Sequence, residues 1–432
     1  MSMYGREAVI ENADIAIVGG GMVGLSQALL LAGELPGARI VLFESLAFAA
    51  DEAALLQPSF DARSTALSAA TAELLQLMNV WSPLAQRAQP IKRVHVSDRG
   101  HVGATDYCDS DNHGKPLGYV IENRCFGYYL SQAVLRCDNI TVIAPACVTA
   151  IRPKVLGAEL QFECEGERKS LNVQLVIIGD GMASPLRSQL GIGVESHDYQ
   201  QVAVIANLEF ELPHNGQAFE RFTEAGPLAV LPLPPEAAVS AGGSRRAALV
   251  WTQASKSLAE IQSCTDQHFI QQLHHAFGFR LGNCTRVGER HSYPLKMVFA
   301  KEQVRSSIVL IGNAAHFLHP VAGQGFNLAI RDCAQLAAVL SQAVQNNQPL
   351  GDLTVLQRYL KLQALDQQAT ASISHAFIRV FTHPNIGVKL GRNLSLLGLG
   401  LSDTLKGEFF AQMMGQSLPR AKVNWSALGT YN

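Results

Sequence analysis

The run DIAIV, residues 14–18, breaks directly into Gly19-Gly20-Gly21-Met22-Val23-Gly24. An alanine- and leucine-rich stretch then reaches about Leu35, and a second β-type run, residues 39–43, ends at Glu44. No other feature restricts the possible folds as much. Strand, glycine turn, helix, strand and acid in that order define a βαβ unit, in which the helix is the crossover between parallel strands. Gly19 permits the tight turn, Gly21 lets a diphosphate approach the backbone, and Gly24 lets the helix lie close against the strand. The helix start offers unpaired N–H groups to phosphate oxygens. Glu44, twenty residues after Gly24, stands where a carboxylate accepts from ribose hydroxyls, and its charge disfavours a 2′-phosphate. The expected ligand is FAD or NAD.

A chain of 432 residues exceeds one comfortable core and suits two interlocked domains. It is 48% hydrophobic and 16% charged, as a folded globular protein is. The net charge of −2 implies no broad basic surface, so nucleic acid is not an expected partner. Eight cysteines form no CxxC pair and no cluster with zinc spacing, so no metal is expected. They read as reduced thiols in a cytoplasmic compartment. The first fourteen residues carry three acids and one arginine without an apolar core, which argues against a secretory leader. No stretch reaches the roughly 18 apolar residues of a spanning helix, so any membrane contact is expected to be peripheral.

Three later segments repeat the chemistry of a ligand-facing corner. FDARSTALSAATAELLQLMNVW holds Arg63 ahead of an amphipathic helix that Ser64 or Ser68 could cap; Arg63 reads as a phosphate or flavin contact or as a solvent ion pair. Glu122-Asn123-Arg124 precedes a helix of about fifteen residues, where Arg124 is either a cofactor contact or a helix-start charge. A β run to Ile178 delivers Gly179-Asp180-Gly181, with Ser184 and Arg187 opening the next helix; the alternative is an ordinary surface turn. A second strand-to-helix transition, SSIVLIGNAAHFLHPVAGQGFNLAIRD, follows at residues 306–332. Between about residues 200 and 296 the chain reads as antiparallel strands with one helix near residues 265–277, an inserted sheet domain.

GGGMVG, DARSTALS, DGMASPLR and GNAAHFLHPVAGQGFNLAIRD, in that order, resemble the class A flavoprotein aromatic hydroxylases, and among them the ubiquinone-biosynthesis hydroxylases. VHVSDRGHVGA, QVAVIANLEF, AFERFTEAGPLAVLPLP and SYPLKMVFA look most like the group acting on a 2-polyprenyl-6-methoxyphenol. The likeness covers nearly the whole chain. It implies an α/β fold: a Rossmann-like FAD-binding domain over 10–90, 119–192 and 297–375, a mainly antiparallel-sheet substrate domain over 91–118 and 193–296, and a helical C-terminal segment over 376–432.

Carried over by motif, the resemblance assigns Gly19, Gly21, Gly24 and Glu44 to the ADP end of FAD, with Arg63 and Arg124 as further contacts. Asp180 falls between the flavin and reductant sites. Asn313 occupies a position where the wider class has aspartate, which holds the ribityl chain; asparagine keeps an acceptor oxygen, adds a donor and removes a charge. Pro320, Gly323, Gln324, Gly325 and Asn327 match the turn and helix start beside the isoalloxazine. The resemblance further implies reduction of bound FAD by NADH or NADPH, then oxygen transfer from O2 to a polyprenylated phenol through a flavin C4a-hydroperoxide. No side-chain nucleophile is required, because the cofactor carries the chemistry. His316 has two readings, proton transfer or a buried histidine supporting the Gly-Asn turn. The tail from Phe377 to Leu405 mixes Phe, Leu and Gly with basic residues, which suits a membrane surface, docking onto other ubiquinone-biosynthesis proteins, or a helical cap.

Overall fold

Asn12–Val18 lies between Ile40–Phe43 and Glu167–Ile178, parallel to both, with Ile15 opposite Ile40 on one side and Leu175 on the other. Ile308–Leu310 extends the parallel set beyond Glu167–Ile178, and Ile140–Ile143 extends it beyond Ile40–Phe43. These strands are apolar on both faces because helices Met22–Glu34 and Gln324–Gln345 cover one side and the antiparallel strands Cys147–Pro153 and Ala158–Cys164 cover the other, which is why they read as continuous runs of Val, Ile and Leu. This computed structural model describes residues 11–49, 51–54, 63–100, 104–235, 243–318 and 323–382, then 406–408, 410–411, 414–415 and 421. Pro320 and His319 lie outside the described residues, as do 383–405 of the tail.

The glycine-turn helix is Met22–Glu34, and it packs against Gln324–Gln345, the helix of the second glycine transition. Leu353–Thr382 packs on the latter in turn. Ser68, rather than Ser64, caps Ala69–Leu77, its hydroxyl accepting from the Thr71 N–H. Ser64 instead begins a strand, Ser64–Ser68, paired with Gly118–Glu122 in a small third sheet.

A second large sheet has nine strands in the order His316–Phe317, His291–Ala300, Val194–Phe210, Arg246–Ala254, Gly226–Pro232, Gln217–Thr223, Arg93–Asp98 and Ala104–Cys108, with Cys284–Val287 paired beside Val194–Phe210. Its pairings are antiparallel except that of Gln217–Thr223 with Arg93–Asp98. The sequence reading of a mainly antiparallel insertion holds, and helix Asp266–Phe277 backs it through Phe269, Leu273 and Phe277. His316–Phe317 leaves the Gly-Asn turn of the first sheet to pair with His291–Ala300 of the second, so this segment stitches the two sheets together.

Candidate active site

Four parallel strands stand side by side, and their carboxyl ends open on the same edge. Each delivers one of the motifs there: Ile40–Phe43 delivers Glu44, Asn12–Val18 delivers Gly19, Glu167–Ile178 delivers Asp180, and Ile308–Leu310 delivers Asn313. In an open parallel sheet that edge is where ligands collect. Backbone bonds lock the row, from Gly19 N–H to the Phe43 carbonyl (2.9 Å), Gly179 N–H to Val18 (2.8 Å) and Ile311 N–H to Ile178 (2.9 Å).

A cavity of about 830 Å³ runs along this edge and on to the face of the nine-stranded sheet. Gly19, Gly21, Glu44, Arg63, Asp180, Asn313, Gly323, Gln324, Gly325 and Asn327 all line it. Gly24 does not; it is buried where the helix meets the turn. Arg124 is exposed at the start of helix Asn123–Val134 and does not line the cavity, whereas its buried neighbour Asn123 does.

Glu44 Oε2 accepts from the Gly20 N–H at 2.7 Å, and Oε1 from the Ser45 hydroxyl and the Leu46 N–H, both at 3.0 Å. A carboxylate has about four acceptor positions, so one remains for a ribose hydroxyl. Asp180 is different. Both its oxygens are buried, and none of the described residues closes a hydrogen bond to them. Burial pushes its pKa up, opposed by the nearby Ser184 hydroxyl, the Leu186 and Asp180 N–H groups and the Arg187 charge. The Asp-Gly pair is therefore no surface turn: Asp180 lines the cavity, with both carboxyl oxygens buried beside the start of the next helix.

Arg187 completes that corner from behind. It is buried, and it donates to the carbonyls of Met182 and Ala314, both at 2.9 Å, clamping the Asp180 turn to the Asn313 turn. Arg187→Met keeps the apolar stem and leaves both carbonyls without their donor. A loss of about 2–3 kcal/mol is expected, read from urea unfolding of the variant beside the parent.

Asn327 has all four of its side-chain bonds made. Its oxygen accepts from Ser68 N–H and Thr71 hydroxyl, and its amide donates to the Ala66 and Gly323 carbonyls, all at 2.8 Å. It fastens the start of helix Gln324–Gln345 to the strand Ser64–Ser68, so its amide holds the cradle in shape and has no donor left over. Gly323 at the helix N-cap has φ +62°, and a Cβ there would come within 3.1 Å of the Ala66 Cβ. Arg63, just ahead of the small third sheet, lays its guanidinium over the Tyr293 ring of the nine-stranded sheet at 4.5 Å from the centroid.

Of the two readings of His316, the geometry favours the buried histidine that supports the Gly-Asn turn. Its Nε2 is bonded to Asp332 Oδ2, both side chains are 1% exposed, and neither residue lines the cavity. Gln367 also donates to that Asp332 oxygen, at 3.2 Å. A histidine sealed in this way supports the Gly-Asn turn and cannot reach a substrate. Its aspartate partner, sixteen residues on, went unread because the bond forms only when the helix folds back.

A family model described as an FAD binding domain matches residues 12–353. The ubiquinone hydroxylase UbiL of Rhodospirillum rubrum is 33% identical over 403 residues, covering 93% of this chain and 90% of that protein. The 3-demethoxyubiquinol 3-hydroxylase of Escherichia coli is 30% identical over 412 residues, covering 94% and 99%. Among solved structures, p-nitrophenol 4-monooxygenase PnpA from Pseudomonas putida DLL-E4 has a TM-score of 0.75 at 18% identity, covering 95% of this chain and 100% of that one, a likeness of fold. Similarity of this extent settles the family: the chain belongs to the FAD-binding aromatic hydroxylases, and is an FAD-dependent aromatic monooxygenase.

Proposed function

We propose that the chain hydroxylates a 2-polyprenyl-6-methoxyphenol to the 2-polyprenyl-6-methoxy-1,4-benzoquinol in ubiquinone biosynthesis, with NADH or NADPH as reductant and O2 as oxidant. The observation that carries this reading is the continuity of the cavity. One end is the glycine and carboxylate cradle. The other is an apolar sheet face presenting Val94, Val96, Ala229, Leu231, Val250 and Ile205.

The residues present fit FAD. The volume lies in the upper range of cofactor sites, roughly 300–1,000 Å³, and a Cβ built on Gly325 meets no atom within 4 Å, so the helix start faces open space. When bound and reduced, FAD supplies the activation of dioxygen. The chain does the rest. Glu44 and the N–H groups at the start of Met22–Glu34 would hold the ribose and diphosphate. The N–H groups at the start of Gln324–Gln345, which line the cavity, would favour negative charge on the part of the ring system bound there. The apolar sheet face takes the prenylated ring and excludes water from it.

No helix among the described residues is long and apolar enough to cross a membrane. A polyprenyl chain is too apolar to be met free in water. The substrate is therefore reached at a bilayer surface, with the enzyme peripheral on the inner face of the cytoplasmic membrane beside other ubiquinone-biosynthesis proteins. A second reading places the hydroxyl on another ring carbon, as the name of the Escherichia coli relative suggests.

Purified protein is expected to be yellow, absorbing near ~450 nm. It is expected to convert a short-chain 2-prenyl-6-methoxyphenol to the para-hydroxylated product with either reductant. Oxygen at a different carbon selects the second reading. Colourless protein that does not reconstitute with FAD overturns both.

A further inference from the structure

Gln217–Thr223 alternates in strand phase, so Ala218, Glu220 and Phe222 turn to one face of the sheet and Phe219 and Arg221 to the other. Phe219 packs in the core beneath helix Asp266–Phe277, and Arg221 donates to the Ala276 carbonyl of that helix. Glu220 is on the opposite face, where it lines the large cavity. Its neighbours across the sheet are Val96 on one flanking strand and Ala229 on the other, and Val250 lies beyond Ala229. The nine-stranded sheet thus presents an apolar wall to the cavity with a single carboxyl group set into it.

That carboxyl has no partner. Among the described residues no hydrogen bond or ion pair reaches it, and burial alone raises its pKa to about 7. The side chain is surrounded by protein yet half-buried in surface terms, because its free face is the cavity itself. The residues turned toward it from the flanking strands, Val94 and Val96 on one side and Ala229 and Leu231 on the other, are all apolar. The other titratable groups lining the cavity are Glu44, Arg63, Cys147, Asp180 and Tyr293, and none of them shifts Glu220. A bare acid on an apolar wall is unfavourable for folding, since a partly desolvated carboxyl with no protein partner recovers none of the cost of that desolvation. Its placement calls for a partner brought in by the ligand.

We propose that Glu220 receives the phenolic hydroxyl of the substrate, orienting the ring and accepting its proton as oxygen is added. This rests on the phenol reading given above and adds the residue that recognises the hydroxyl. The step is a proton transfer: the phenol O–H bond breaks, its electron pair becomes the second bond of a ring C=O, and an O–H bond forms on Glu220. The oxidant and reductant are those of the monooxygenase reaction itself. A phenol can donate to the carboxylate, which prevails above pH 7, more strongly than to the neutral acid, which prevails below it. A methyl ether of the same phenol has no proton to donate, so it gains nothing from ionisation.

The test is binding to the flavin-loaded enzyme, read by perturbation of the flavin absorption band. The probes are a short-chain 2-prenyl-6-methoxyphenol and its methyl ether. In the parent enzyme, the ratio of phenol to ether affinity is expected to rise about tenfold between roughly pH 5.5 and roughly pH 8.5. Glu220→Gln is nearly isosteric and removes a buried charge, so it is expected to fold, and the ratio in it is expected to be flat. Asp180 also titrates in the cavity, but it is present in both proteins and cancels from the comparison.

A ratio that is flat in the parent, or that rises equally in Glu220→Gln, overturns the proposal. If the parent hydroxylates the phenol and the ratio behaves so, only the role of Glu220 falls. If the parent neither binds nor hydroxylates the phenol, the substrate assignment falls and the role of Glu220 with it.

Discussion

Gly325→Asp is expected to purify as a folded, colourless protein. Gly325 is the second residue of helix Gln324–Gln345, and a Cβ there touches nothing within 4 Å. An aspartate in a first helical turn lies at the positive end of the helix dipole and stabilises the helix by about 0.3–1 kcal/mol. The fold therefore has no reason to fail. The cofactor does on the proposed reading, because the new carboxylate would enter the open space before the helix start and set a negative charge where the electron-rich edge of the flavin is proposed to meet N–H donors. Flavin retained per protein is expected to fall at least ~20-fold, equivalent to about 2 kcal/mol or more of lost binding. Thermal unfolding should match that of deflavinated parent within ~2 °C, the parent being stripped because bound flavin adds its own stability. A variant that stays yellow and turns over at the parental rate would place the flavin ring elsewhere.

Gly24→Ala, chemically the smaller change, is expected to do more damage. Its Cβ would stand 1.8 Å from the Gly19 carbonyl oxygen and 3.0 Å from the Gly19 carbonyl carbon. Neither is a side chain that can swing aside. Gly19 cannot yield either, since it sits at φ +106° with its own Cβ direction blocked by the Gly179 oxygen at 2.5 Å. The helix must draw away from the turn by more than ~1 Å. That separates Met22–Glu34 from the core formed by Ile15, Ile17, Leu25 and Leu29 and from helix Gln324–Gln345. A loss of at least ~4 kcal/mol is expected, at the severe end for one substitution. Urea unfolding of apoprotein is the measurement, and the variant is expected to be insoluble or partly unfolded whether or not FAD is added. Parental stability in Gly24→Ala would mean that the close helix-to-strand approach is dispensable.

The two glycines sit in motifs that look alike on paper, yet one is enclosed by backbone and the other faces empty space. Much of the architecture was nonetheless legible. The buried parallel strands announced themselves as β-branched runs, and the substrate-side sheet as shorter alternating ones. Ser184 was recognisable as a helix start, and its hydroxyl accepts from the Arg187 N–H at 3.1 Å. The four strand-end motifs were found in order, and each of Gly19, Glu44, Asp180 and Asn313 lines the cavity. The weaker assignments were those that depended on what lies opposite a side chain. Arg124 looked no different from Arg63 as a charge near a turn, but it is exposed while Arg63 lies over Tyr293. Asn327 lines the cavity, but that its side chain makes all four of its bonds to the protein shows only in the fold. Glu220 carries a signal in the sequence, a lone charge in the apolar phase of AFERF, but its lack of a partner shows only in the fold.

What the sequence determined by itself is the local geometry: where backbone must turn through positive φ, where a helix can begin, and which phase of a strand faces inward. Steric limits and hydrogen bonds between near neighbours decide those, so they survive reading one residue after another. Only the tertiary structure decided which groups share a space. Glu44, Asp180 and Asn313 come from segments more than a hundred residues apart and meet because parallel strands align their carboxyl ends. His316 was closed off by Asp332, and Glu220 was left open, by the way a helix and a sheet pack around them. Burial and the presence or absence of a partner set the chemistry of a titratable group, and both belong to the packing.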